Sequence, residues 1–162
     1  MRKTLLVFYS RTGTTKALAE TIRARLNCDT EEVFDLKDRS GFFGNLMGGL
    51  DALLQRQTVI SEPAHDPADY DRIIIGTPVW YGNLAPAVRT WLTRNAPLTK
   101  ESATGFFCTF AGKGNIRAGK KFSGLAMAKN PALLCVQNGE EHGITQDRVE
   151  AFAQDMERKY PG

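Results

Sequence analysis

The sequence predicts a doubly wound α/β fold, in which helices cover both faces of a five-stranded parallel sheet. Five short apolar runs alternate along the chain with stretches of helical periodicity. These runs are nearly continuous in apolar residues, which is typical of parallel strands buried on both faces. The 162 residues, 42% of them hydrophobic, suit one core. We find no linker, repeat or low-complexity tract, and we expect a single domain over residues 1–162.

The predicted elements follow in chain order, and the third strand is the strongest because its three isoleucines are β-branched and bounded by Asp71 and Gly76. The predicted strands are Leu5–Tyr9, Glu32–Phe34 (a weak one), Arg72–Gly76, Gly105–Phe110 and Ala132–Val136. The predicted helices are Thr14–Leu26, Asn45–Arg56, Ala85–Arg94, Ile116–Ala128 and Thr145–Lys159. Pro86 lies in the first turn of the helix predicted from Ala85, where proline is tolerated. Thr145 is the predicted N-cap of the last helix.

Composition excludes several classes of protein. No apolar run reaches the length of a membrane span, and the N-terminus lacks the pattern of a signal peptide, so we expect a cytoplasmic protein. The three cysteines are far apart and form no CxxC pair, which favours reduced thiols over a disulfide or zinc site. Cys108 and Cys135 lie in apolar runs and are expected to be inert core residues. The two histidines lack metal-ligand spacing, so no metal site is predicted.

The segment directly after the first strand is rich in hydroxyls and glycine and leads into a helix. It consists of Ser10, Arg11, Thr12, Gly13, Thr14 and Thr15. Small side chains expose backbone N–H groups, and the helix directs the positive end of its dipole to the same place, so a phosphate monoester is one possible ligand. The pattern is neither a Walker A motif nor a dinucleotide fingerprint. An ordinary turn with threonine caps is the other interpretation.

Two further loops leave the third and fourth strands at the same edge of the predicted sheet. One consists of Thr77, Pro78, Val79, Trp80, Tyr81, Gly82 and Asn83, and the other runs from Thr109 and Phe110 through Gly112 and Gly114. Ligands of doubly wound sheets bind outside the carboxyl ends of the strands, so these loops suit a planar, phosphorylated cofactor. Core packing is the alternative for the two adjacent aromatic residues, whereas Trp91 is expected to be a core residue in mid-helix.

With these motifs in order, the whole chain resembles a short-chain flavodoxin, a family of FMN proteins with strand order 2-1-3-4-5. Ser10 to Thr15 is similar to the family's phosphate loop, and Gly76 to Gly82 is similar to its aromatic flavin loop. The third loop matches only by position. No long insertion splits the fifth strand, which indicates the short-chain form.

The resemblance implies a role for each loop. Ser10 and Thr12 to Thr15 would bind the FMN phosphate, with Arg11 in the same loop. Trp80 or Tyr81 would stack on the flavin ring, and Gly82 would lie near flavin N5, where glycine makes a change of peptide orientation inexpensive. Residues of the third loop would line the pyrimidine edge of the ring: Thr109, Phe110, Gly112 and Gly114.

The charge departs from the family, whose members are strongly acidic, because this chain has a formal net charge of +3. Residues 82–130 hold eight basic residues and one acidic residue. A solvated mixed surface, docking of an acidic redox partner, and binding of the NADPH phosphates are three interpretations of this segment. Cations near the ring would also make the second one-electron reduction less negative than in acidic flavodoxins. Nucleic-acid binding is not expected, since the aromatic residues have a better use in the flavin loop.

A glycine-rich segment around Phe42 and Phe43 precedes the second predicted helix. Either phenylalanine staples the helix to the core, or the segment is a flap over the flavin or a substrate.

The main expectation for function is a one-electron carrier between redox partner proteins. The alternative is a two-electron quinone or nitro reductase that uses NAD(P)H, for which the loops contain no compelling catalytic residue. A response regulator is disfavoured, because Gly76 and Thr77 stand where its phosphate-accepting aspartate would lie. The oligomeric state is left open.

Overall fold

Parallel strands form a central sheet with helices on both faces. The computed structural model describes residues 2–37, 47, 50–96 and 102–161. Within these ranges the strands are β1 (Thr4–Phe8), β2 (Asp29–Glu32), β3 (Arg72–Trp80), β4 (Asn83–Leu84), β5 (Ala103–Phe110) and β6 (Ala132–Gln137). The helices are α1 (Thr14–Leu26), α2 (Pro86–Arg94), α3 (Asn115–Ala126) and α4 (His142–Lys159). The parallel order β2-β1-β3-β5-β6 confirms the predicted fold, and β4 adds an antiparallel pair to the end of β3.

The two faces of the sheet carry separate cores, because successive side chains of a strand point to opposite faces. On one face, Ile73 and Ile75 of β3 pack in the cluster that contains Trp91 of α2 and Phe122 of α3. On the other face, Ile74 packs in the cluster that α1 and α4 complete. This division explains the continuous apolar runs of the sequence, and the burial of Trp91 confirms its prediction as a core residue.

The second strand begins three residues before its predicted position. The structure has it at Asp29–Glu32, and not at Glu32–Phe34. Its residues are polar because it is an edge strand, so it carries little of the apolar pattern from which strands are predicted. Val33, which did carry that signal, is buried, and its N–H still donates to the Phe8 carbonyl just past the strand end.

The third strand continues past Gly76 to Trp80, and therefore includes residues that the sequence analysis placed in a loop. Thr77 and Pro78 pair with β5, and Val79 and Trp80 pair with β4. Tyr81 and Gly82 form the two-residue turn between β3 and β4, with φ values of 52° and 70°. Positive φ at both central positions is the geometry of a type I′ hairpin turn, which explains the glycine there.

The helices lie where they are predicted, and α2 and α3 differ from their predicted bounds by one or two residues at an end. The bounds of α1 are those predicted, whereas α4 begins at His142. Thr145 is therefore not an N-cap, and its hydroxyl donates to the Glu141 carbonyl from within the first turn. Of the predicted helix from residue 45 to 56, residues 47 and 50–53 are helical, residues 54–56 are not, and residues 45, 46, 48 and 49 lie outside the described residues. The segment around Phe42 and Phe43 also lies outside them.

Within the described ranges, no helix combines the length and the apolar character needed to cross a membrane.

Candidate functional site

The loop from Ser10 to Thr15 is organised around the hydroxyl of Ser10. Its oxygen accepts hydrogen bonds from the backbone N–H of Gly13, at 3.2 Å, and of Lys16, at 3.1 Å. Gly13, with a φ of 92°, is the residue before α1, and no side chain of its own caps that helix. Ser10 thus binds one backbone donor of the first turn of α1, the Lys16 N–H, and the N–H groups of Thr14 and Thr15 precede it in a helix that begins in a loop whose residues 11–14 are exposed to solvent.

A buried hydrogen bond joins this loop to the end of β5. The hydroxyls of Thr15 and Thr109 lie 2.8 Å apart, and both residues are almost fully buried. Two residues that are 94 positions apart in sequence thus tie the start of α1 to the sheet. Thr12 and Thr14, both exposed, lie in the same loop and line one pocket with Thr109 at the carboxyl end of β5.

The aromatic hairpin contributes an indole that is packed on two sides. Tyr9 meets the Trp80 ring edge-on, with the ring centroids 5.9 Å apart and an interplanar angle of 88°. The Arg11 guanidinium lies 5.8 Å from the Trp80 ring centroid, within the range of a cation–π contact. Tyr81, at the tip of the turn, is 66% exposed. Trp80 is therefore part of the site wall, and Tyr81 projects from it.

The third loop touches the hairpin through two glycines. A Cβ added at Gly114, where φ is 111°, would lie 2.7 Å from Cα of Gly82 and 3.0 Å from its nitrogen. Only glycine allows so close an approach of two backbones. Gly112 has open space around it, and a Cβ there would meet nothing within 4 Å. Both glycines are predicted site residues, but only Gly114 joins the loops in this way.

These loops enclose a pocket of about 240 Å³ at the carboxyl edge of the sheet. The predicted residues that line it are Arg11, Thr12, Thr14, Thr15, Pro78, Val79, Trp80, Thr109 and Phe110. Ala111 and Asn138 also line it and were missed by the sequence analysis. Asn138 follows β6, the strand next to β5, so the order of the strands is the signal that would have found it. Among the described residues of this lining, Arg11 is the charged one and none is a carboxylate.

Other predicted residues are close to the pocket without lining it. Thr77 is fully buried, and its hydroxyl accepts from the Ala85 backbone N–H and donates to the Pro78 carbonyl, so it holds the hairpin against α2. Asn83 is also fully buried, and its side-chain amide donates to the Tyr81 carbonyl across the turn. Ser10, Gly13, Tyr81, Gly82, Gly112 and Gly114 shape the surrounding loops, as described above.

Basic side chains lie next to the turn between β3 and β4. A Cβ added at Gly82 would lie 3.0 Å from Cδ of Arg117, so the stem of that arginine covers the turn. The Lys121 ammonium donates to the Asn83 side chain. Partial burial, with the charges of Arg117 and Arg89, lowers the pKa of Lys121. Desolvation likewise lowers the pKa of Arg89, whose Nε and Nη2 are buried and have no hydrogen-bond partner in the described part of the chain.

The chemical groups that line the pocket suit a phosphorylated flavin. One end offers threonine hydroxyls and the N–H groups of a helix start, the donors that bind phosphate. The wall offers an indole for a flat ring, and the lining residues that the structure describes carry one positive charge and no negative charge. It lies between neighbouring strands β1 and β3, whose following helices cover opposite faces of the sheet, the position where doubly wound folds bind ligands.

Comparison with known proteins places the chain in a family. The sequence matches the family model of the flavodoxin domain over residues 45–156, which is more than two thirds of the chain. The chain therefore belongs to the flavodoxin domain family. The matched part includes the hairpin and the third loop, and it begins after the Ser10–Thr15 loop. Comparison with curated proteins found no significant match.

Solved structures with the same fold include both small proteins and parts of larger ones. A flavoprotein from Lactobacillus acidophilus NCFM, solved in complex with FMN, has a TM-score of 0.73 at 23% identity, and the alignment covers 94% of this chain and 99% of that one. A WrbA-like flavodoxin from Agrobacterium tumefaciens has a TM-score of 0.63 at 12% identity, with 98% and 97% covered. Rubredoxin:oxygen oxidoreductase from Desulfovibrio gigas has a TM-score of 0.61 at 15% identity, covering 98% of this chain and 36% of that chain. At these identities the likeness concerns the fold.

Proposed function

We propose that this protein binds FMN and carries single electrons between redox partner proteins. The observation that supports it best is the lining of the pocket at the switch point of the sheet, where the described residues bring together threonine hydroxyls, one guanidinium and an indole. Membership of the flavodoxin domain family and the FMN complex of the Lactobacillus flavoprotein add support. The unpaired cysteines favour a cytoplasmic location.

The phosphate end of the proposed site is the start of α1. Thr12 and Thr14, both exposed, would donate hydroxyl hydrogen bonds, and the free N–H groups of the first helical turn would add backbone donors. Ser10 would keep the loop in shape through the two N–H groups that it accepts from. Arg11 would supply the positive charge. The buried Thr15 hydroxyl would anchor the loop to Thr109.

The ring end of the proposed site is the hairpin. Bound FMN would supply the redox chemistry, and the protein would set its reduction potentials through stacking, hydrogen bonding and charge. Trp80 would cover one face of the ring and exclude water from it. The Gly82 peptide would hold or release a hydrogen bond at the ring edge, since glycine tolerates both backbone orientations of such a turn.

The proposed partner carries an acidic docking face. Lys113 of the third loop and Arg117 and Lys120 of α3 are exposed, and Arg117 covers the turn beside the pocket. Such charges steer association more than they add affinity, so the rate of electron transfer to an acidic partner should fall as ionic strength rises. A rate that is independent of salt would contradict the proposed docking face.

FMN binding to the apoprotein tests the cofactor directly, through the quenching of flavin fluorescence. Thr12→Ala removes one hydrogen bond to a charged phosphate, worth about 1.5–3 kcal/mol, so the affinity should fall by roughly ten- to a hundredfold. Thr145→Ala on α4 is the matched control, because its hydroxyl donates to the Glu141 carbonyl and does not line the pocket. An apoprotein that does not take up FMN would refute the proposal.

A second candidate function is an FMN-dependent NAD(P)H quinone or nitro reductase. The exposed Arg117 and the half-buried Lys121 beside the hairpin favour it, since phosphates of a nicotinamide donor bind such groups. Steady-state oxidation of NADPH with a quinone acceptor separates the two functions. A carrier consumes NADPH only when a separate reductase is added, whereas a reductase turns over alone.

The cations near the hairpin also predict the effect of a single charge on the potential. Arg117→Gln should make the second one-electron reduction more negative, by the order of tens of millivolts, because it removes a positive charge that stabilises the reduced, anionic flavin. Arg148→Gln on α4 removes the same charge from a residue whose guanidinium contacts the Cys135 carbonyl and Glu140 and not the hairpin turn, and it is the control. Potentiometric titration of both loaded variants gives the comparison, and equal shifts would contradict a local effect.

A further inference from the structure

Two of the three cysteines lie side by side in the sheet. Cys108 of β5 and Cys135 of β6 are register partners on adjacent parallel strands, 27 residues apart in sequence. The Cys108 thiol donates to the sulfur of Cys135, and the two sulfur atoms are 3.3 Å apart. The sequence analysis treated them as separate core residues, because only the order of the strands brings them together.

The geometry of the strands suits a bond between the two sulfurs. Neighbouring strands lie about 4.8 Å apart, within the Cα separation of about 4.4–6.8 Å that disulfides span. Both side chains pack on the same core, which includes Phe106 and Phe122. The sulfurs therefore need side-chain adjustments and no rearrangement of the sheet.

The two thiols differ in exposure and in charge. Cys108 is fully buried, whereas Cys135 is partly exposed. The hydrogen bond from Cys108 lowers the pKa of Cys135 and outweighs burial, with further contributions from the Asn115 side chain and the charge of Arg148. The same hydrogen bond, with burial, raises the pKa of Cys108. The sulfur of the partly exposed Cys135 is thus the better nucleophile, and the sulfur of the buried Cys108 lies next to it.

We propose that Cys108 and Cys135 form a redox-active dithiol that hydrogen peroxide oxidises to an intramolecular disulfide. The Cys135 sulfur attacks one peroxide oxygen, the O–O bond breaks, and the product is a sulfenic acid and water. The Cys108 sulfur then attacks the Cys135 sulfur, the S–O bond breaks, and a second water leaves as the disulfide forms. The two sulfurs together lose two electrons, the peroxide gains them, and the two thiol protons leave in the waters. A small dithiol reverses the change.

This site differs from the pocket and does not depend on the proposed cofactor. Neither cysteine lines the pocket. The third cysteine, Cys28, lies outside the pair, and burial raises its pKa to about 11. It is therefore the internal control, because it lacks both a neighbouring thiol and an activated sulfur.

The experiment treats the reduced, as-purified protein with hydrogen peroxide at a one-to-one ratio and then counts thiols after denaturation. The count should fall from three to one, with an intact-mass loss of two hydrogen atoms and a peptide that joins Cys108 to Cys135. Cys28→Ser should leave this reaction unchanged. Cys108→Ser should trap Cys135 as a sulfenic acid, detected as a dimedone adduct. Cys135→Ser should slow oxidation of Cys108 by more than about tenfold, because the remaining thiol is buried and not activated.

Several outcomes would overturn the proposal. One is a thiol count that stays at three under this dose, and another is a disulfide that involves Cys28 or a second molecule. Equal oxidation rates in Cys108→Ser and Cys135→Ser would also overturn it, since they would remove the assigned order of attack. Cys135→Ala, checked for native circular dichroism, repeats the comparison if the serine variant fails to fold.

Discussion

Replacing Gly114 with alanine should loosen the contact between the third loop and the hairpin. The φ of 111° costs a residue with a side chain about 1–3 kcal/mol. The added Cβ would lie 2.7 Å from Cα of Gly82, a backbone atom that cannot rotate away. Such overpacking costs a further ~1–3 kcal/mol. Together the free energy of unfolding should fall by about 2–6 kcal/mol.

Two alanine variants separate the backbone cost from the contact cost. Gly139 has a φ of 85° and nothing within 4 Å of an added Cβ, so Gly139→Ala carries the backbone cost alone. Gly112 has neither a positive φ nor a close neighbour, so Gly112→Ala should change stability by less than about 1 kcal/mol. The difference in unfolding free energy between Gly114→Ala and Gly139→Ala isolates the contact between the loops.

The assay is urea unfolding of the apoproteins, followed by FMN titration of each. With a slope of about 1–3 kcal/mol per molar urea, the Gly114→Ala midpoint should fall by about 1 M or more, and its FMN affinity should fall because the turn beside the pocket moves. Equal midpoints for Gly114→Ala and Gly139→Ala would refute the argument that backbone contact requires this glycine.

Two further predictions concern the buried framework. Gly76→Ala would place a Cβ 2.0 Å from the Phe107 ring and should destabilise the fold by at least about 1–3 kcal/mol, whereas Gly119→Ala, in open space on a helix, should be neutral or stabilising by about 1 kcal/mol. Thermal unfolding of the pair checks this, and equal melting temperatures would contradict it. Thr15→Val and Thr109→Val should each cost about 1–3 kcal/mol by leaving a buried hydroxyl without its partner, and the double variant should cost less than their sum. Chemical unfolding of the four proteins checks the coupling, and strict additivity would mean that the hydroxyls do not act as a pair.

The core elements follow from local patterns in the chain. The continuous apolar runs around Ile74 and Phe107 predict strands buried on both faces, and the structure confirms them. Helix α1 has its predicted bounds because the signals that predict them, the apolar periodicity and the residues just before the helix, are local in the sequence. The polar strand Asp29–Glu32 lacks such a pattern, since it lies at the edge of the sheet and pairs with β1 on one side.

The candidate site divides in the same way. The hydroxyl-rich loop and the aromatic pair are visible as residue types in sequence. Which of these residues line the pocket is a matter of tertiary structure, because the strand continues to Trp80 and turns Thr77 towards α2. Asn138 enters the site only because β6 lies beside β5.

The sequence by itself determined the class of fold, the order of its elements and the loops that carry unusual chemistry, because these depend on periodicity and on residue types close together in the chain. Only the tertiary structure decided the contacts between Thr15 and Thr109, between Gly82 and Gly114, and between the two cysteines. Each of these pairs is brought together by the pairing of strands or the packing of a helix on the sheet. No local pattern records which distant residues the register will place opposite each other.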